Sequence, residues 1–200
     1  MQEKIISQGA EAILVLKDDK ILKKRIQKSY RHVELDNKIR LNRTKREIKV
    51  MNKLKELKIN VPKIYESDDK FTICMDFIDG KRLRDVLIED TSKKIYLKKV
   101  GNWLAKMHEN GIIHGDLTTS NILVDKSEKL YLIDFGLSLF SKKIEDMAVD
   151  IHLLKQAIES THYKNVTEFY KEFLKGYKFE DSEKVLKRLE TVELRGRNKH

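Results

Sequence analysis

One segment constrains this chain more than any other: Ile-Ile-His114-Gly115-Asp116-Leu-Thr-Thr-Ser-Asn121-Ile-Leu-Val, followed after a short polar turn by Leu-Tyr-Leu-Ile-Asp134-Phe135-Gly136. Asp116 stands in a turn after a helical pattern, where a carboxylate can accept or orient a hydroxyl proton. Asn121 opens an apolar strand, Ile122–Val124, and Asp134 closes the next, Leu130–Ile133, across the turn Asp125–Lys129. Adjacent antiparallel strands bring the Asn121 amide oxygen and the Asp134 carboxylate to one edge, as a hard divalent cation requires. An Asx-turn before an ordinary hairpin would use the same residue types. Both halves, in order and at hairpin separation, favour a phosphate site built around a metal ion instead.

The rest of the chain places this segment in the second of two unlike halves. Ala12–Leu16, Ile21–Ile26, Lys63–Tyr65 and Phe71–Met75 read as strands. Leu35, Ile39, Ile48, Met51 and Leu54 mark helical pattern over 35–57 in two charged segments, stopped by Asn60-Val61-Pro62. After Asp79-Gly80 the pattern is helical: one helix ending at Asn110-Gly111, then three more at about 149–160, 166–177 and 182–194. The expected fold is α+β and two-lobed, one domain over 1–200. A sheet-rich N-lobe spans about 1–75, a hinge about 76–80 and a helical C-lobe about 81–200.

Composition narrows the setting. With 40 % hydrophobic residues the chain can bury a core, which excludes bulk disorder. Cys74 is the one cysteine, so no internal disulfide framework exists and a reducing compartment is expected. No apolar run approaches the roughly 20 residues of a membrane span, and no signal-peptide core opens the chain, so a soluble cytoplasmic protein is expected. Forty-two Lys+Arg against 32 Asp+Glu give a net charge of +10. Mixed charges of this kind mostly solvate a surface, but the excess also suits a polyanionic partner such as tRNA.

The pair H-x-D-L-x-x-x-N and D-F-G resembles the protein-kinase catalytic set in residue types and order. That resemblance implies a cation on the third strand for the nucleotide phosphates, steadied by a helix carboxylate. Lys23 is favoured over its neighbour Lys24, because it follows two apolar residues and only one of the two can face inward. Glu47, in Thr44-Lys45-Arg46-Glu47-Ile48, is the best-placed partner. The catalytic set is then Asp116, Lys23 and Glu47, with Asn121 and Asp134 as metal ligands for Mg²⁺ or Mn²⁺. Gly9 lies in a degenerate phosphate loop, Ser7–Ala12, and Met75, Asp76, Phe77 and Ile78 stand where a hinge would meet the adenine of ATP. Asp150 suits either a helix N-cap or an anchor for the catalytic-loop backbone.

His-Gly-Asp-Leu-Thr-Thr-Ser-Asn (114–121), Ile-Asp-Phe-Gly-Leu-Ser (133–138), Lys-Ser-Tyr-Arg-His (28–32) and Leu-Arg-Gly-Arg (194–197) together resemble the small atypical, RIO-related kinases of the KEOPS (EKC) complex, along nearly the whole chain. The resemblance implies a minimal kinase-like fold with Ser/Thr kinase or ATPase activity. It also implies association with other KEOPS subunits, above all the ASKHA-fold subunit that makes threonylcarbamoyladenosine at tRNA position 37, sometimes fused in the same chain. Gly115 stands where kinases usually carry Arg, Thr118 where they carry Lys. No Ala-Pro-Glu follows Asp134-Phe135-Gly136, and only 64 residues remain after Gly136 (200 minus 136). A docking platform for peptides is therefore expected to be missing, and an ATPase inside a complex is favoured over a broad protein kinase. The basic tail, with Lys187, Arg188, Arg195, Arg197 and Lys199, is read as contacting tRNA phosphates in preference to being a solvated helix end; for the cluster Lys28, Arg31, Lys38, Arg40, Arg43, Lys45 and Arg46 a solvated surface is preferred over such contact. The alternatives are a small-molecule kinase of aminoglycoside or choline type, disfavoured by the short C-lobe, and a pseudokinase scaffold, disfavoured by the complete residue set.

Overall fold

The hairpin β2 (Ala12–Lys17) and β3 (Lys20–Arg25) turns on Asp18 and Asp19 alone, both at positive φ (49° and 57°). That two-residue turn matches the twist of the strands it joins. It fixes Leu14 opposite Lys23 and sends Ile21, Lys23 and Arg25 to the buried face of β3. In the computed structural model, which describes residues 3–197, the hairpin is flanked by β1 (Lys4–Gln8), β5 (Thr72–Asp76) and β4 (Ile64–Tyr65). The five antiparallel strands run in the order β1-β2-β3-β5-β4. Strand β1 is exposed along its whole length, an edge strand without the burial alternation that makes strands easy to read.

The helical pattern expected over 35–57 forms one helix, α1 (Val33–Glu56). Its buried positions, Asp36, Thr44, Glu47, Val50, Met51 and Leu54, are half polar, so its apolar residues alone mark the helix only in part. The C-terminal end of α1 joins the main core through Val50 and Leu54. Asn60, just beyond it, accepts from Leu132 N (2.9 Å) and donates from Nδ2 to the carbonyl of Leu130 (2.9 Å), tying the first half to the second.

The second half holds β6 (Gly80–Arg82), α2 (Leu83–Glu89), α3 (Ile95–Glu109), β7 (Ile112–Ile113), β8 (Ile122–Asp125), β9 (Leu130–Leu132), β10 (Leu139–Phe140), α4 (Ile144–Thr161), α5 (Val166–Gly176) and α6 (Ser182–Arg197). The expected break at Asp79-Gly80 is instead the start of β6, which pairs with β8. Helices α3, α4 and α5 bury Leu104, Met107, Ile151, Leu154, Phe169 and Phe173 in one core. Only residues 137–143 separate Asp134-Phe135-Gly136 from α4, and part of that link is β10, paired with β7. The fold is protein-kinase-like without the usual activation segment. Among the described residues no helix is long and apolar enough to cross a membrane.

Candidate active site

A cleft of about 470 Å³ runs between the five-stranded sheet and the β8–β9 hairpin. Its volume is in the range of small-ligand sites. Met75, Asp76, Phe77 and Ile78, the residues expected from sequence to form the hinge, are among its lining residues. Several of their polar groups are already engaged, among them the Asp76 N–H, which donates to the Lys63 carbonyl (3.0 Å). Tyr65 donates its hydroxyl to Asp76 Oδ1 (2.7 Å), and Phe77 N donates to the Asp19 carbonyl (3.2 Å).

The loop that carries Asp116 is held from beneath. Asp150 Oδ2 accepts from His114 N (2.7 Å), and Asp150 Oδ1 accepts from Gly115 N (2.9 Å). His108 Nε2 donates to Asp150 Oδ2 (3.2 Å), with the Tyr177 hydroxyl 2.6 Å from His108 Nδ1. Helix α4 begins at Ile144, not near 149, so Asp150 is no N-cap. It is a fully buried side chain whose carboxylate is spent on the loop backbone. Burial pushes the Tyr177 hydroxyl well above the usual tyrosine value, so it stays a donor. Burial likewise pulls the His114 imidazole below its ordinary value, despite three surrounding aspartates. The neutral ring donates from Nε2 to the Ile133 carbonyl (3.3 Å) and accepts at Nδ1 from Asp116 N (3.3 Å). Gly115 sits at φ +79°, and a Cβ there would meet the Leu137 carbonyl oxygen at 2.5 Å, so the loop has no place for the usual Arg.

Asn121 faces Asp116 and donates from Nδ2 to its carbonyl (2.8 Å) and to Oδ2 (3.1 Å). Its amide oxygen is left without a partner among the described residues. Ile133 N donates to the Asn121 carbonyl (3.0 Å), extending the β8–β9 ladder so that Asp134 follows at the same edge. Asp134 adopts φ +62°, a conformation uncommon outside glycine and concentrated at functional sites. Lys23 Nζ donates to Asp134 Oδ1 (2.8 Å) and to Glu47 Oε1 (2.6 Å). Burial pulls the Lys23 ammonium down, but these carboxylates outweigh it and hold the pKa above the ordinary lysine value. Burial would raise the Asp134 carboxyl; the Lys23 charge overrides it and holds that pKa below the ordinary value. The Asn121 oxygen and the half-open Asp134 carboxylate form a hard-oxygen donor set suited to Mg²⁺ or Mn²⁺.

Other sequence expectations fall differently. Gly9 lines the cleft, yet its N–H is donated to the Ala12 carbonyl (3.0 Å), so this peptide is committed to the turn and not to a phosphate. The loop is tethered by Lys28 to the Ala10 carbonyl and by Arg43 Nη1 to Glu11 Oε2 (2.5 Å). Arg31 and Arg40 both pair with buried Asp36, and Arg46 reaches the Ser138 carbonyl (3.4 Å), so most of the expected basic cluster is engaged internally. In the tail, Arg188 and Arg195 converge on Glu145, while Lys187 is exposed. The Arg197 side chain and Lys199 lie outside the described residues. Three cleft cations, Arg25, Arg43 and Arg82, were not assigned to the cleft from sequence. Arg25 follows Lys23 by two positions on the inward face, and Arg43 precedes Glu47 by four on one helix face. These two are legible from those offsets once Lys23 and Glu47 are chosen.

The protein kinase domain family model matches residues 6–172. The chain is 42 % identical to the KEOPS complex subunit Bud32 of Pyrococcus abyssi, covering 97 % of this chain and 96 % of that one. It is 40 % identical to the EKC/KEOPS complex subunit BUD32 of Encephalitozoon cuniculi, covering 96 % and 94 %. It is also 42 % identical to a probable bifunctional tRNA threonylcarbamoyladenosine biosynthesis protein of Methanocaldococcus jannaschii, where 98 % of this chain matches 37 % of the longer one. A kinase-family match over most of the chain, and end-to-end similarity to two Bud32 proteins, agree with a cleft in which Lys23, Glu47, Asp116, Asn121 and Asp134 meet; the chain belongs to the protein kinase family, in its Bud32 branch.

Proposed function

We propose that this chain is a divalent-metal-dependent ATP phosphotransferase of the atypical Ser/Thr kinase type, with ATPase activity, working within a KEOPS assembly that serves tRNA threonylcarbamoyladenosine formation. The observation that carries this reading is Lys23 Nζ, held between Glu47 Oε1 at 2.6 Å and Asp134 Oδ1 at 2.8 Å. Three segments far apart in sequence thereby converge beside Asp116 and Asn121, and a surface lysine would have no reason to be so placed. In this reading Asp116 orients and accepts the proton of the attacking hydroxyl or water, and Asn121 keeps the Asp116 carboxylate in place. Lys23 holds the nucleotide phosphates, Glu47 holds Lys23, and Met75–Ile78 border the adenine. Asn121 and Asp134 would hold Mg²⁺ or Mn²⁺, which supplies neutralisation of phosphate charge. Most of the rate comes from placement and electrostatics, since phosphoryl transfer asks little covalent chemistry of the protein.

The brevity of 137–143 supports water, or an acceptor presented by a partner, over a docked peptide. The bifunctional relatives support a partner that acts on tRNA. The matching part is about a third of their length, 35–37 % in the Methanosarcina mazei and Methanocaldococcus jannaschii proteins, so the remainder is free to supply an ASKHA-type modifying subunit. Exposed Lys187 and the basic end of α6 belong to the tRNA contact in this reading, in the cytoplasm. The test follows the γ-phosphate of labelled ATP with Mg²⁺, first with the chain alone, then with tRNA and the threonylcarbamoyladenosine-forming partner, with Asp116→Ala as blank. Phosphate release that rises with tRNA and partner is the expected result. Label chiefly on protein restores the kinase role as the main one, and no transfer despite ATP binding overturns both in favour of a scaffold.

A further inference from the structure

Arg25 is a buried cation that neither the cleft's expected residue set nor the core accounts for. It lies two residues beyond Lys23 on the inward face of β3, only 6 % exposed. Its Nη2 donates to Glu47 Oε2 at 2.5 Å, while Lys23 takes Glu47 Oε1 at 2.6 Å. Glu47, 1 % exposed, therefore has both carboxylate oxygens fixed by cations from one strand. The guanidinium also borders the turn after Asp134, since a Cβ on Gly136 would lie 3.7 Å from Arg25 Nη2 and 4.0 Å from Lys23 Nζ.

Stability alone does not explain this choice. A buried ion pair often contributes no more than apolar side chains of similar volume, and Ile21 on the same face shows that an apolar residue fits this surface. Arg25 even leaves its buried Nε without a partner, a cost that calls for a compensating role. Geometry supplies one. A lysine bound to a single carboxylate oxygen leaves that carboxylate free to rotate, and α1 free to swing with it. A second bond to the other oxygen fixes the plane of the carboxylate and so the place of Lys23 Nζ. Because only residues 137–143 link the Asp134 turn to α4, no long intervening segment is there to press α1 against the sheet.

We infer that Arg25 is a positioning residue of the phosphate site, acting through Glu47 to hold Lys23 and α1 in the phosphate-binding arrangement at all times. This rests on the phosphotransfer reading and deepens it. The test is a double-mutant cycle on the full chain with Arg25→Met, Glu47→Gln and the pair, reading kcat and KM for γ-phosphate release and, in parallel, Mg-ATP affinity and melting temperature. A lost hydrogen bond to a charged group predicts that Arg25→Met lowers kcat/KM about ten- to hundredfold. The double variant should be no worse than Glu47→Gln alone, and Arg25→Lys should recover part of the loss. Losses that multiply overturn the inference, because Arg25 would then act independently of Glu47; so does a loss that follows melting temperature with no recovery in Arg25→Lys. Should Arg25→Met fail to fold, Arg25→Lys with Glu47→Gln forms the same cycle while keeping the buried charge. A wild-type chain that binds no Mg-ATP overturns the phosphotransfer reading and this one together, whereas turnover with multiplying losses overturns only the role of Arg25.

Discussion

His114 has little room for a second proton. Its Nε2–H is committed to the Ile133 carbonyl and its Nδ1 to the N–H of Asp116, so protonation would set two donors against each other at the base of the catalytic loop. Burial already holds its pKa below the ordinary 6.5, against the pull of Asp150, Asp134 and Asp116. The sign of the consequence follows from linkage: a folded state that binds its proton less readily than the unfolded chain is favoured above the unfolded pKa. The stability is fully present above about pH 6.5 and is lost as pH falls toward the lowered folded value. Over that interval wild type should lose about 1.4 kcal/mol per pH unit relative to His114→Phe, which keeps a ring against Phe135 but cannot titrate. Urea unfolding of both proteins between pH 7 and 5 reads this difference, and parallel curves would remove His114 from the account. Single residues of this loop were readable from sequence in identity but not in support. Asp116, Asn121 and Asp134 announce themselves by spacing, whereas the reason for Gly115, the carbonyl of Leu137 at 2.5 Å from any Cβ, exists only once residues 115 and 137 have met.

Among the elements, α3 and α5 approach each other closely at two glycines. A Cβ on Gly101 would lie 2.2 Å from the Phe173 carbonyl oxygen, and one on Gly176 1.9 Å from that of Lys98. Each helix thus lets the other's backbone in, and Phe173 is seated between them in the core. Replacing either glycine by alanine gains about 1 kcal/mol of helix propensity but forces apart a contact whose overpacking costs about 1–3 kcal/mol or more. With backbone on the opposing side, nothing flexible can yield, so the cost prevails. Gly101→Ala and Gly176→Ala should each lower the melting temperature by several degrees, at about 2–4 °C per kcal/mol for a chain of this size. A rise would mean that propensity dominates and the helices are not in contact. Element type was legible wherever burial is apolar, as in α3 and the β2–β3 hairpin. Where polar groups do the burying the type was still legible but the starts slipped, by two residues at α1 and five at α4. Helix α1 hides Asp36, Thr44 and Glu47 inside ion-pair and hydrogen-bond networks, and the first turn of α4 opens on Glu145 and Asp146, with Ser141 Oγ donating to Asp146 Oδ2 (2.5 Å). Hydropathy spacing is blind to both.

At the scale of the molecule, a net charge of +10 overstates how much positive surface is free to meet a polyanion. Lys23 and Arg25 are buried against Glu47, and Arg31 and Arg40 against Asp36, whereas Arg43, Arg188 and Arg195 pair with Glu11 and Glu145 at partly exposed positions that RNA can still compete for. Cations already neutralised inside the protein release no counterions from an RNA, so affinity for tRNA should depend on far fewer phosphate contacts than the count of lysines and arginines suggests. The salt dependence measures this directly, because each neutralised phosphate contributes about 0.7–0.9 to the slope of log K against log salt. Lys187 is exposed on α6 and pairs with nothing among the described residues. If α6 meets tRNA, Lys187→Gln should weaken binding uniformly across tRNA sequences and flatten that slope by about one contact. Arg40→Gln should leave the slope unchanged, since Arg40 is committed to Asp36 at 2.7 Å. Filter binding across a salt series with wild type and both variants reads all three slopes. A slope altered by Arg40→Gln and not by Lys187→Gln would move the nucleic-acid face from the C-terminal helix to the N-terminal end of α1, and with it the side of the cleft from which a tRNA-bound partner reaches the γ-phosphate.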